Sequence, residues 1–435
     1  MKKALYFFTL LLVISSCHTE DKGSKNKIDF NGISETIKPG DNFFEHVNKT
    51  WLDTVVIADD QAGVGSYSFL NIPQKKLLEN ILTEVSASTH KDGSIEQMLG
   101  DFYASGMDTA RINTLGFEPL EAIFTKIESI DDISSMMNFV TAELSLGNES
   151  ILSMYVSPDN ENSSVNMLHF GQTGLGLPDR DYYFKSDAAT LEIQDAYKTY
   201  LVTLFTLSAQ KEAEKKALTV YNIETKLAAS HKTRVERRNI KANYNKIEVA
   251  KVSKSQSNIG WTNLLMQLNL SVDSIDIKQI RYYEELNSLL GSIPVSDWKT
   301  YLKAKTLITY AGVLSTPFEV ADFEYTKVLS GQTTQITRAQ IMVQKVDRKL
   351  GFALGQLYVE KYFNEDAKKR VLDLVNNLQK AFENRIDQLD WMSAVTKIQA
   401  KEKLYAITKK LDIQRFGDHT MRRFKKGLTS RTSLL

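Results

Sequence analysis

Apolar residues recur along much of this chain at the 3.6-residue spacing that places them on one face of a helix. Ile193, Ala196, Tyr197, Tyr200, Leu201, Leu204 and Phe205 form one such stripe, and Ala217, Val220, Tyr221, Leu227 and Ala228 a second. Leu372, Val375, Leu378, Phe382, Ile386 and Leu389 form a third. Each predicts an amphipathic helix packed against its neighbours. Strand-like runs are few. Ile151 to Val156 and Val165 to Phe170, separated by Ser157-Pro158-Asp159-Asn160, predict two strands joined by a turn. The chain contains 7 prolines in 435 residues, so little interrupts the helical segments. The expected fold class is mainly α with a small β element. No internal repeat is visible, and nothing after residue 40 is of low complexity.

A different pattern opens the chain. Lys2 and Lys3 precede an apolar run from Ala4 to Ile14, which is too short to span a membrane. It ends in Ile14-Ser15-Ser16-Cys17. Residues 1–16 are therefore expected to be a signal peptide. An aliphatic residue, two small residues and a cysteine resemble a bacterial lipobox, in which the cysteine becomes the lipidated N-terminus. The alternative is an ordinary signal peptide with a chance cysteine. The expectation is export to the bacterial cell envelope, with a membrane as partner through a lipid on Cys17. Residues 17–38, polar and charged, would form a flexible tether.

Composition adds mainly exclusions. Cys17 is the only cysteine, so no disulfide can form within the chain. Lys plus Arg is 54 and Asp plus Glu is 53, so there is no overall basic footprint for nucleic acid. The histidines are His18, His46, His90, His169, His231 and His419, and none has a second three or four residues away. That spacing is what sets two zinc ligands on one helical face, so no H-E-x-x-H is present and no residue here is expected to bind metal or to be catalytic. No G-x-S-x-G elbow supports a serine hydrolase. Gly171, Gly174 and Gly176 lie in GQTGLGLP, which lacks the Lys-Ser/Thr of a phosphate loop and reads as a turn-rich loop closed by Pro178. Asp179 and Asp181 flank Arg180, the arrangement of an ion-paired loop. Glu224 falls on an apolar stripe and needs a partner, for which Lys226, His231 and Arg234 are the local candidates.

Longer motifs carry more. Pro39-Gly40-Asp41-Asn42-Phe43-Phe44 runs on to Val47-Asn48-Lys49-Thr50-Trp51-Leu52, followed by Gly65-Ser66-Tyr67-Ser68-Phe69-Leu70 and Asp101-Phe102-Tyr103-Ala104-Ser105-Gly106-Met107-Asp108. Gly174 to Tyr183, GLGLPDRDYY, is the most specific piece. Gly355-Gln356-Leu357-Tyr358-Val359 and Leu389-Asp390-Trp391-Met392 come later. Taken in series over residues 39–411, these segments resemble the neprilysin family of zinc metallopeptidases. The resemblance implies a mainly helical fold of two lobes around a central cavity. It implies zinc as the cofactor of a complete member, held by H-E-x-x-H and a downstream glutamate, and oligopeptides as substrates. None of those elements can be placed on a residue of this chain. Two positions where animal members carry arginines for a substrate carboxylate fall here at Gly63 and Asn71.

The resulting expectation is the N-terminal portion of a lipid-anchored, neprilysin-like zinc endopeptidase, inactive as this chain. Two other readings stay open: a non-enzymatic peptide-binding lipoprotein, and one half of a split peptidase whose catalytic half is separately encoded. Residues 412–435 depart from the family pattern and are expected to be an aberrant tail. One permitted set of codons for Asp412 to Arg423, read one base out of frame, yields the Tyr-Pro-Glu, Trp and Tyr that the family would place there, so a frameshift is one origin for it.

Overall fold

The structure, a computed structural model, describes residues 32–409. The signal segment, Cys17 and the tail from 412 lie outside the described residues, as does most of the expected tether. The backbone divides into two units, 1–58 and 59–435. In the first, Asn42 caps helix Phe43–Thr54 by accepting from the Glu45 amide. The His46 Nδ1 donates to the Ile37 carbonyl at 2.6 Å, and the Ser34 hydroxyl accepts from the Thr36 and Ile37 amides. These bonds fold the segment before the helix back onto it.

The second unit contains two hydrophobic cores. The smaller joins helices Ser68–Ser86, Ile95–Met107 and Arg338–Tyr362 through Leu82, Leu99, Tyr103, Val346 and Leu354. Gly100 sets how closely the first two approach, because a Cβ there would lie 2.7 Å from the Val85 carbonyl oxygen. The larger core spans Leu120 to Tyr325. Helix Ala188–Leu207 buries Tyr197, Tyr200, Leu201, Leu204 and Phe205, and helix Ala213–Ser230 buries Ala217, Val220, Leu227 and Ala228. The first two stripes therefore face this core as expected. Arg338 links the two cores: its Nε donates to the Gly106 carbonyl at 2.8 Å, and its guanidinium pairs with Glu319 at 2.7 Å.

A four-stranded sheet flanks the larger core, in the order β1 (Ser153–Pro158), β2 (Asn166–Gly171), β4 (Ser274–Ile277), β3 (Lys246–Glu248). β1 and β2 are the expected antiparallel pair, with Met154 opposite Phe170. β1 begins two residues later than expected, because Ile151 and Leu152 are spent in the core before the strand starts, and β2 begins one residue later. β4 pairs parallel to β2 and antiparallel to β3. Both late strands are too short to show alternation in sequence.

The third stripe behaves differently. Leu372 to Ile386 lie on helix Glu365–Asp387 as expected, Leu389 falls just past its end, and no residue of that helix is buried. Leu378 is 52 % and Phe382 60 % exposed. Among the described residues the helix packs chiefly on Ala394–Tyr405 and not on the core helices. A periodic stripe specifies that a face needs cover, not what supplies it.

Candidate functional site

β2 ends at Gly171, and the chain passes through Gln172–Pro178 into a single 3-10 turn, Arg180–Tyr183. Three consecutive carbonyls of this loop each receive a side-chain donor. The Tyr301 hydroxyl donates to Gly174 at 2.8 Å, the Lys305 ammonium to Leu175 at 3.1 Å, and the Tyr325 hydroxyl to Gly176 at 3.2 Å. The amides of Gly176 and Leu177 both donate to the Tyr183 hydroxyl at 3.1 Å. Tyr183 donates onward to Glu224 at 2.8 Å, and Tyr197 donates to the other carboxylate oxygen at 3.0 Å.

Glu224 is fully buried. Burial pushes its carboxyl above the usual range, and Lys305 and the two hydroxyls pull it part of the way back. Burial and the neighbouring Glu224 push Tyr183 and Tyr197 well up, so both remain protonated donors. A net hydrogen bond contributes about 1 kcal/mol, while an orphaned buried partner costs about 1–3 kcal/mol. The network therefore fixes the loop chiefly by making any departure from it costly. Its polar atoms are turned on one another, which is a structural arrangement and not that of an open acid–base site.

The partners of Glu224 are thus not Lys226, His231 or Arg234. Lys226 is exposed, His231 Nε2 is bonded to the Thr173 carbonyl at 3.0 Å, and Arg234 pairs with Asp179. Tyr183 and Tyr197 lie 41 and 27 residues before Glu224, beyond the reach of local helical spacing. A signal was present nonetheless: tyrosine on an apolar stripe must place its hydroxyl on a partner. Asp179 accepts from the Asp181 amide at 2.8 Å and pairs with Arg234, while Arg180 reaches Asp181 at 3.4 Å. These carboxylates are a capped, ion-paired turn.

Among the described residues two histidines are buried. His231 is held neutral, its pKa lowered to about 4, chiefly by burial. His169 on β2 faces Asp276 on β4, with Nδ1 2.8 Å from Oδ2. Lys278 pairs with the same oxygen at 2.9 Å, and the Asn245 amide donates to the other at 2.7 Å. An Asp–His couple orients the imidazole in many hydrolases. Here the His169 Nε2 is buried without a hydrogen-bond partner, so no hydroxyl or thiol stands ready to be activated. Sequence reading missed the couple because 107 residues separate its members. His46 and His90 bond backbone carbonyls, and His18 and His419 lie outside the described residues. Among the described residues no three His, Cys, Asp or Glu side chains converge to hold a metal ion. These residues do not fit zinc.

Residues 39–413 match peptidase family M13. The chain belongs to peptidase family M13. This is the neprilysin-like family to which the serial motifs pointed, and zinc is its characteristic metal. The chain is 26 % identical to endothelin-converting enzyme 1 of Cavia porcellus over 408 residues, covering 90 % of this chain and 53 % of that protein. It is 25 % identical to endothelin-converting enzyme-like 1 of Rattus norvegicus over 391 residues, covering 86 % of this chain and 50 % of that protein. The chain thus spans about half the length of these curated relatives. Among solved structures it is similar to the Mycobacterium tuberculosis zinc metalloprotease ZMP1, with a TM-score of 0.84 and 28 % identity, covering 94 % of this chain and 63 % of that one. PepO from Lactobacillus rhamnosis shares the fold, with a TM-score of 0.76 and 19 % identity over 85 % of this chain and 59 % of that one.

Proposed function

We propose that this M13 chain is the N-terminal portion of a zinc-dependent endopeptidase that acts on oligopeptides and is held at the bacterial cell envelope by a lipid on Cys17. In this reading residues 39–411 supply the helical lobe and part of the frame of the catalytic lobe. The zinc site belongs to residues that these 435 do not contain, so the chain alone is inactive. The observation that carries the reading is the family match over residues 39–413 in a chain without H-E-x-x-H. Its relatives, a zinc metalloprotease and an endothelin-converting enzyme, point to peptide hydrolysis. A second reading, a peptide-binding lipoprotein without catalysis, draws on the self-contained larger core at Leu120–Tyr325.

The test uses the purified chain from His18 onward, an oligopeptide panel and added zinc. No cleavage is expected from the chain alone. Cleavage is expected once a separately expressed H-E-x-x-H segment from a related M13 peptidase is mixed with it. Chelator-sensitive hydrolysis by the chain alone would overturn the proposal. Peptide binding with no cleavage under either condition would establish the second reading.

A further inference from the structure

A chain whose charges balance overall carries a strongly basic segment among its described residues. Lys232, Arg234, Arg237, Arg238 and Lys241 fall within ten positions, against the single carboxylate of Glu236. Folding brings Arg180 to the same place, from a turn some fifty residues earlier. Arg234 pairs with Asp179 beside it, and the charges of Arg237 and Arg180 both bear on His231. Glu236 is committed to a capping box with Thr233. Among the described residues Arg237, Arg238 and Lys241 are exposed and have no carboxylate within ion-pair distance. Val235, two positions before Arg237, is 73 % exposed, and Ile240, just before Lys241, is 70 % exposed.

The backbone under this surface is held firmly. Gln172 bonds both the amide and the carbonyl of Lys232, at 2.8 and 3.0 Å. Asn243 donates to the Glu236 and Asn239 carbonyls at 2.8 and 2.7 Å, and Lys232 closes the loop onto Ala242 and Asn243. Cations and aliphatic side chains are therefore presented from a rigid scaffold, which limits the ordering cost of binding.

We propose that Arg237, Arg238 and Lys241, with Val235 and Ile240 beside them, form a docking surface for acidic segments of oligopeptides. Guanidinium groups take carboxylates in bidentate pairs, and the two aliphatic side chains receive apolar neighbours in the peptide. This rests on the reading of the parent protein as acting on peptides, and adds a substrate class to it. A peptide fits better than an anionic bilayer. The patch interleaves Asp179 and Glu236 with its cations, its exposed apolar side chains Val235 and Ile240 are aliphatic, and the nearby Phe184 ring lies under the Arg180 guanidinium.

The test measures anisotropy of labelled nonapeptides of alternating Leu and Glu, Leu and Gln, or Leu and Lys against the chain from His18 onward. The Glu peptide is expected to bind at least about tenfold more tightly than the Gln peptide, with the margin shrinking as salt rises. Arg237→Glu with Arg238→Glu should erase the margin, and Arg238→Gln alone should reduce it, with unchanged circular dichroism. Equal binding of Glu and Gln peptides, or a margin untouched by these variants, overturns the proposal. So does binding to phosphatidylglycerol vesicles that depends on Arg237 and Arg238 while the peptides do not bind. The readout is binding without cleavage, so it can fail while the peptidase reading stands, and can succeed if that reading falls.

Discussion

The Tyr197 hydroxyl fills the place that a side chain at residue 176 would take: a Cβ on Gly176 would lie 1.8 Å from it. The same hydroxyl is one of the two that bond Glu224. Gly176→Ala should therefore push Tyr197 off the carboxylate as well as crowd the loop. Overpacking of this kind costs about 1–3 kcal/mol, and the weakened buried hydrogen bond adds to it. Urea unfolding should show a clear loss of stability. A variant with an unchanged midpoint would mean that the loop is not held as described.

Glu224 makes stability depend on pH. Its folded-state pKa is raised, chiefly by burial, so the folded chain holds this proton after the unfolded chain has released it at about pH 4.3. Its contribution is fully present below that value and declines as pH rises through the folded pKa. Glu224→Gln cannot titrate. The stability of the original chain relative to this variant should be greatest near pH 4 and shrink toward neutrality. Denaturation curves at several pH values will show it, and a difference that stays flat or grows with pH would refute this account.

Asp276 holds three donors: the His169 ring, the Lys278 ammonium and the Asn245 amide. Replacing it by Ala leaves a buried histidine and a nearly buried lysine without their acceptor. Removing one member of such a set costs about 3–5 kcal/mol. Asp276→Ala should lower the thermal midpoint markedly and expose the sheet edge to hydrogen exchange. A midpoint within experimental error of the original would show that the couple is not structural.

The helices bearing Tyr197 and Val220 were legible in sequence because one face of each is apolar over several turns. The pair β1–β2 was legible because both strands and their connection are local. β4 was not: it has four residues and its neighbour β2 lies a hundred positions away. The same distinction governs the site. Sequence showed that a carboxylate on an apolar stripe needs a partner, but Tyr183, Tyr197 and Lys305 reach Glu224 only through the tertiary fold. The sense of GLGLPDRDYY came from resemblance to a family. Only the structure gives the reason for it, a loop whose carbonyls and amides are individually secured.

Cys17 is the chain's only thiol and follows an apolar run and two serines. Expressed in a bacterium, the protein should incorporate labelled fatty acid and fractionate with membranes, and Cys17→Ala should abolish both. Labelling of the variant at the original level would remove the proposed anchor.

The helix Glu365–Asp387 presents Leu374, Leu378 and Phe382 at 59 %, 52 % and 60 % exposure, and Trp391, Val395 and Ile398 of the adjoining segment are more than half exposed as well. A contiguous apolar surface of this kind drives self-association in water. The effect of substitution there should be opposite to that in a packed core. Leu378→Glu with Phe382→Lys removes no buried contact, so the thermal midpoint should move by no more than a degree or two. The same change should lower binding of the dye ANS and the light scattering of concentrated solutions. Leu82→Ala, in the smaller core and fully buried, is the control, and should cost about 2–5 kcal/mol. If the double variant loses stability as the control does, the stripe is covered in solution by something within the chain. If stability holds and scattering falls, the face is free on this chain.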